Sequence, residues 1–255
     1  MHPVTELQPA KIAIAGDWHE NTRYARAAME YAKSKNADVL VHLGDFGYKM
    51  TDDFRSTMAG IVEDLDMPIV FIDGNHDNHE LLATLPDAED GFGLLAPGVY
   101  HARRGAVWQW YGVTFLAVGG AVSIDKKMRN YGEWWSGETL SAGDLNRSLD
   151  AAFEFDIDIM LTHDAPIGYR VPGSLPDGVI PSDVLAEAHD HQELIYGIMR
   201  EAEPKRLYHG HFHRRYNIIR DGVQISGLAA DGGDFDDNIE IVNLALFSLG
   251  DLEGQ

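Results

Sequence analysis

The segment LYHGHFHRRY, residues 207–216, sets three histidines at alternate positions: His209, His211 and His213. In an extended chain, residues two apart share a face and lie roughly 6.5–7 Å apart along the strand, so all three imidazoles can project the same way. Neutral imidazole is the commonest protein ligand for metals, and the pattern points to a metal site. A single strand histidine is as often a packed residue, so partners must come from elsewhere in the chain. Acidic, amide and imidazole side chains recur in four further short motifs: GDWH (Asp17, His19), GD (Asp45), GNHD (Asn75, His76) and LTHD (His163). Mixed carboxylate and imidazole donors of this kind suit transition-metal chemistry.

Each motif follows an apolar run. KIAIAG (11–16), ADVLVHLG (37–44) and PIVFIDG (68–74) read as strands, separated by a helix that Asn21 caps and by a second helix over TDDFRSTMAGIVEDL. Apolar strands alternating with amphipathic helices mark βαβ units and a parallel sheet covered on both faces. After residue 97 the rhythm changes to strands with little helix between them: GVYHA, AVWQWYG, VTFLAVGGA, FDIDIMLTH, RLYHGH, YNIIRDGVQISG and IEIVNLALF. Asp-Gly within IIRDGVQI signals a two-residue hairpin turn. Helical insertions are expected around 141–154 and 182–202. There is no repeat, low-complexity segment or linker, so the reading is one α/β domain over 1–255 with two packed sheets. In open α/β sheets, ligands bind beyond the carboxyl ends of strands. Five separate elements here deliver polar residues to such an edge.

Composition narrows the chemistry. The chain has 255 residues, 45% hydrophobic and 24% charged, and no cysteine, which excludes thiolate metal sites and cysteine nucleophiles. A formal charge of −21 argues against duplex nucleic-acid partners, whose binding depends on Lys and Arg neutralising phosphates. The first thirty residues lack a basic segment followed by an apolar run, and no stretch of eighteen apolar residues occurs, so a cytoplasmic protein without a membrane partner is expected. Nothing in the sequence speaks to oligomeric state.

The series DxH, GD, GNH[DE], H and GHxH, in this order from residue 16 to residue 213, resembles the calcineurin-like metallophosphoesterase family. The resemblance implies a four-layer α/β/β/α sandwich: two packed mixed sheets flanked by helices. It also implies two divalent cations. Asp17, His19, Asp45 and His213 would hold one, and Asp45, Asn75, His163 and His211 the other, with Asp45 as the bridge. Oxygen and imidazole donors favour Mn²⁺, with Fe and Zn²⁺ compatible, over Ca²⁺ or Mg²⁺. The implied reaction is attack on phosphorus by a hydroxide bridging the metals, with His76 as the general acid that protonates the leaving group. Bound cations would locally reverse the field of an acidic chain toward an anionic substrate.

His209 has no counterpart among the family's ligands and is expected to point away from the metals. His42 is expected to be a packed strand residue. His2, His79, His101, His189 and His191 read as surface or helix residues, with the pair in HDH solvated. Several alternatives fall away, because GxGxxG, GxxxxGK[ST], HExxH and HxHxDH are all absent. GDFGYKM places Tyr48 and Lys49 where protein phosphatases of the family carry Asp and Arg, which argues against that activity. Glu20, in GDWHE, adds a carboxylate near the site.

Substrate recognition is expected in the insertion 123–140, with Lys126, Lys127, Arg129, Tyr131, Trp134 and Trp135, where the tryptophans either stack a base or pack the loop. A second wall is expected in 164–178, where Arg170 either reaches a phosphate oxygen or is solvated. The acidic run DGGDFDDN (231–238) reads as a solvated turn. The expected function is a two-metal phosphoesterase acting on a small phosphodiester or phosphomonoester, a nucleotide or cyclic nucleotide. The alternatives are a non-catalytic metal-binding interaction module on the same fold, which lost ligands would reveal, and a family nuclease, which needs a basic groove.

Overall fold

The computed structural model describes residues 3–129, 134–172 and 179–247. Side-chain alternation along the strands dictates its layering. In β1 (Lys11–Ala15), Ala13 and Ala15 turn toward the small-residue stripe Ala25, Ala28, Met29 and Ala32 of helix α1 (Thr22–Ser34), while Ile12 and Ile14 turn the other way. The stripe recurs at three- and four-residue spacing, as one face of a helix requires. Asn21 starts α1 by accepting the Tyr24 amide.

The same logic continues through β2 (Val39–His42), α2 (Asp52–Leu65) and β3 (Ile69–Phe71). Thr51 caps α2, and Phe54, Met58, Ile61 and Val62 form its buried face. After the single-turn helix α3 (His79–Leu82) come β4 (Asp87–Glu89), β5 (Phe92–Ala96) and β6 (Val99–Ala102). The later half builds β7 (Val107–Trp110), β8 (Val113–Val118), α4 (Ala142–Glu154), β9 (Ile159–Thr162), α5 (Ser182–Ala202), β10 (Arg206–His209), β11 (Tyr216–Arg220), β12 (Val223–Gly227) and β13 (Ile239–Asn243). A capping box between Ser141 and Asp144 begins α4.

These strands form two mixed sheets, in the orders β13-β1-β2-β3-β6-β5-β4 and β11-β12-β10-β9-β8-β7. Parallel strands occupy the centre of each, β1, β2, β3 and β6 in the first and β8, β9, β10 and β12 in the second. Ile12, Ile14, Val41, Val70, Trp108, Trp110, Phe115, Leu161 and Tyr208 interlock between the sheets. Helices α1 and α2 cover the outer face of the first sheet, and α4 and α5 that of the second. This is the four-layer α/β/β/α sandwich expected. Among the described residues no helix is long and apolar enough to cross a membrane.

Two histidines differ from the reading as surface or solvated residues. His191 lies on the inner stripe of α5 with Val184, Ala188, Ile195 and Ile198, because its place in the helical period points inward. Its Nδ1 is 3.0 Å from Asp164 Oδ2, while His189 two residues earlier is exposed. His101 lies inside β6, buried, with Nε2 3.2 Å from Asp73 Oδ1. His79 begins α3, and His2 is outside the described residues. His42 packs edge-on against Trp18 and Phe46, as expected.

Candidate metal centre

The loops that leave β1, β2, β3, β9 and β10 converge at one edge, and backbone space there is tight. A Cβ on Gly74 would collide with the amide and carboxylate of Asp45, and one on Gly210 with the carboxylate of Asp17. His19, Glu20, Asp45, His211 and His213 all adopt left-handed backbone, with φ of 49°, 62°, 54°, 64° and 55°. Non-glycine residues in that region each cost about 1–3 kcal/mol, and such strain gathers where side chains must be aimed.

The aim is visible in the distances. Donor atoms of Asp17, His19, Asp45 and His213 all lie within 4.8 Å of one another. Asp17 Oδ2 is 3.1 Å from His213 Nε2, and Asp45 Oδ2 is 3.7 Å from His19 Nε2. The other Asp45 oxygen turns to a second group, with Oδ1 at 3.4 Å from His163 Nε2. His163 Nε2 is also 3.0 Å from Asn75 Oδ1, and the His163 and His211 rings are 5.1 Å apart. One buried carboxylate thus stands between two donor clusters.

Second partners orient these donors. The His163 Nδ1–H donates to the Leu43 carbonyl at 2.7 Å, which leaves Nε2 as the nitrogen that faces Asp45 and would coordinate once its own proton is displaced. Asn75 donates Nδ2–H to Ser123 Oγ at 2.9 Å, which turns its carbonyl oxygen toward His163. Both Asp17 oxygens accept the His211 amide, each at 3.1 Å.

Charge balance tests whether cations fit. Burial would raise Asp17 and Asp45, yet the hydrogen bond from His213 and the charge of His163 bring Asp17 down, and His163 and His76 hold Asp45 well below the ordinary carboxylate range. Burial disfavours a charged His163, but Asp45 overcomes it and pushes that imidazole up to about 10. His211, driven down to about 4 by burial, stays neutral and able to coordinate. Two buried carboxylates therefore demand positive charge, which imidazolium protons meet in the metal-free protein. The donor set of oxygens and neutral imidazoles fits divalent cations.

His76 lies beside Asp45. Its amide donates to Asp45 Oδ1 at 2.8 Å and its Nε2 is 3.9 Å from Asp45 Oδ2. Arg129 Nη2 stands 3.1 Å from the same His76 nitrogen, and the guanidinium is anchored through Nε to Asp125 Oδ1 at 2.8 Å. Tyr48 completes this wall, its ring 5.4 Å from that of His76 and 5.9 Å, stacked, from that of His19. His209 is buried and directed elsewhere, with Nδ1–H donating to the Gly210 carbonyl at 2.9 Å and Nε2 meeting the Tyr216 hydroxyl.

The expected substrate contacts fare differently. Lys126 pairs with Glu187 and Glu138, fastening the insertion to α5. Trp134 is 37% exposed, and Trp135 is half-buried with a buried Nε1. Arg170 is exposed, and Tyr131 and residues 173–178 lie outside the described residues. Glu20 accepts the Lys49 amide at 2.7 Å and so braces the loop after β2. Sequence alone gives Arg129 a place in the insertion and no specific contact. Asp231, expected in a solvated turn, is 2.9 Å from His19 Nδ1. It follows the carboxyl end of β12, and the strand-end rule that finds the other motifs would have found it.

The sequence model of the calcineurin-like phosphoesterase family matches residues 10–215. The chain belongs to this family. It is a family of phosphoesterases that use divalent metal ions. A protein described as a probable cyclic nucleotide phosphodiesterase, from Fibrobacter succinogenes, is 38% identical over 56 residues, which is 22% of this phosphoesterase and 22% of that relative. The crystal structure of TT1561 of Thermus thermophilus superposes with a TM-score of 0.56 at 14% identity, covering 92% of this chain and 99% of that one. That likeness is one of fold.

Proposed function

We propose that this phosphoesterase hydrolyses a small phosphodiester or phosphomonoester of the nucleotide class, using two divalent cations with Mn²⁺ favoured. The observation that carries the reading is the division of the Asp45 carboxylate between two donor clusters, Oδ2 toward His19 at 3.7 Å and Oδ1 toward His163 at 3.4 Å. Asp17, His19, Asp45 and His213 would hold one cation, and Asp45, Asn75, His163 and His211 the other. When bound, the pair supplies Lewis-acid chemistry, lowering the pKa of water and neutralising phosphoryl oxygens.

The remaining steps belong to the chain. His76 acts as the general acid, delivering its proton from Nε2 to the leaving oxygen. Burial lowers its pKa and Arg129 adds to that effect, whereas Asp45 opposes both; an incoming phosphoryl anion would oppose them further. Arg129 binds a non-bridging or leaving-group oxygen, for which a guanidinium is the stronger partner than an ammonium. The partly exposed Trp134 supports nucleotide recognition, since stacking a base is worth about 1–3 kcal/mol. The short stretch shared with the cyclic nucleotide phosphodiesterase points the same way.

The test is a screen of the Mn²⁺-loaded protein over 2′,3′- and 3′,5′-cyclic nucleotides, dinucleotides and phosphomonoesters, run beside Asp45→Asn. Turnover on at least one nucleotide is expected, with loss of both bound metal and turnover in the variant. Wild-type turnover by Asp45→Asn would sink the bridging role.

A further inference from the structure

His19 differs from the other histidines of the metal centre in what holds its outer nitrogen. Its Nδ1 lies 2.9 Å from Asp231 Oδ1, and the second Asp231 oxygen accepts Asn21 Nδ2–H at 2.7 Å. Asn21 is itself fixed, because its own oxygen caps α1 by accepting the Tyr24 amide at 3.1 Å. The Asp231 amide donates to the Asp17 carbonyl at 2.8 Å, so backbone and side chain together lock this residue against the loop after β1. A carboxylate oxygen accepts, so the ring proton sits on Nδ1 and Nε2 keeps its lone pair, facing Asp45 Oδ2 at 3.7 Å. His163 is held instead by a neutral acceptor, the Leu43 carbonyl at 2.7 Å.

We propose that Asp231 is a positioning residue for one cation site: through His19 it sets ring orientation and tautomer and makes that imidazole the stronger donor to a divalent ion shared with Asp17, Asp45 and His213. A carboxylate behind a ligand histidine raises its basicity, and removing such a partner costs about 10–100-fold in metal affinity. The two sites are therefore unequal, and the one containing His19 fills first. The proposal rests on the two-cation reading above.

Calorimetric titration of the metal-free protein with Mn²⁺ alone, with analysis of bound metal, separates the two ideas. Wild type is expected to take up two ions. Asp231→Ala weakens one of them by about 10–100-fold and spares the other, and Asp231→Asn, which keeps the shape and loses the charge, weakens the same ion less. His19→Ala weakens that ion too, and adding Asp231→Ala to it changes nothing more, since Asp231 works only through His19. Equal melting of the metal-free proteins ties the loss to the cation. If wild type binds no Mn²⁺, the two-cation reading itself fails. If wild type binds two ions and Asp231→Ala binds both as tightly, or the two single losses add, the positioning role is overturned.

Discussion

At His76, one nitrogen faces two groups of opposite sign: Asp45 Oδ2 at 3.9 Å and Arg129 Nη2 at 3.1 Å. A guanidinium only donates, so without substrate it covers the His76 lone pair, and a phosphoester oxygen must enter between them. The two residues should then fail differently. His76→Ala should lose about 10²–10⁴-fold in kcat on alkyl esters, the usual share of a general acid, and little on p-nitrophenyl esters, whose leaving group needs no proton. Arg129→Ala should lose about 10–100-fold in kcat/KM on both kinds, the worth of a charged hydrogen bond. Steady-state kinetics on the two ester types decides; equal losses on both by His76→Ala would remove its role as an acid. The seven expected ligands are legible in the sequence because each follows a strand in a short motif. Arg129 is not, since its role comes from a partner 53 positions away in the chain, while Asp231 follows a strand end as they do but stands in an acidic run that reads as a solvated turn.

Among the elements, alternation and helical period make the strands and the four long helices readable, and the Asp-Gly turn appears as φ of 50° and 84° at Asp221 and Gly222. The matching turn between β7 and β8, φ of 53° and 78° at Tyr111 and Gly112, is not readable, because tyrosine at its first position carries no turn signal. Strands β4 and β5 escape because neither alternates: Asp87 and Ala88 of β4 are both exposed, and β5 is buried along nearly its whole length. The insertion 123–140 reads in sequence either as a substrate wall or as a loop packed by its tryptophans, and one end of it is stapled from beneath. Arg104 donates to Asp73 Oδ2 at 2.9 and 2.6 Å and to the carbonyls of Thr139 at 2.6 Å and Gly137 at 2.9 Å. It thereby joins the end of β3, which leads into GNHD, to the end of the insertion that leads into α4. Burial works against the Asp73 charge, but Arg104 holds that carboxyl far below its usual range. Arg104→Met leaves this buried carboxylate without its guanidinium, with only His101 at 3.2 Å and His79 at 3.8 Å as imidazole partners, which should cost about 3 kcal/mol. Adding Asp73→Asn should recover part of the loss. Urea unfolding of the three variants measures it, and an unchanged midpoint in Arg104→Met would show that the staple carries no stability.

For the whole molecule the dominant electrostatic fact is a formal charge of −21, with two carboxylates buried at the meeting point of five strand ends. Such a field draws cations in and resists anions, so the centre must be charged positively before a phosphoester can settle. In the metal-free protein protons do this work. His163, raised from 6.5 to about 10, contributes stability that is complete below pH 6.5 and is lost as pH rises toward 10. Asp17 and Asp45, both lowered, contribute stability present above about pH 3.8 and lost as acid protonates them. A divalent ion held by His163, as proposed, would displace its proton, so below pH 10 its binding should strengthen by about 1.4 kcal/mol for each unit that the pH rises. At a fixed Mn²⁺ concentration that saturates the protein at both pH values, the melting-temperature gain on adding metal should be larger at pH 8 than at pH 6. The difference should be about 2.7 kcal/mol for one displaced proton, or about 5–11 °C for a chain of this size. Differential scanning calorimetry at the two pH values, with and without Mn²⁺, reads it directly. A gain of equal size at both would mean that no proton leaves on binding, and that the ion lies away from the carboxylate His163 shares.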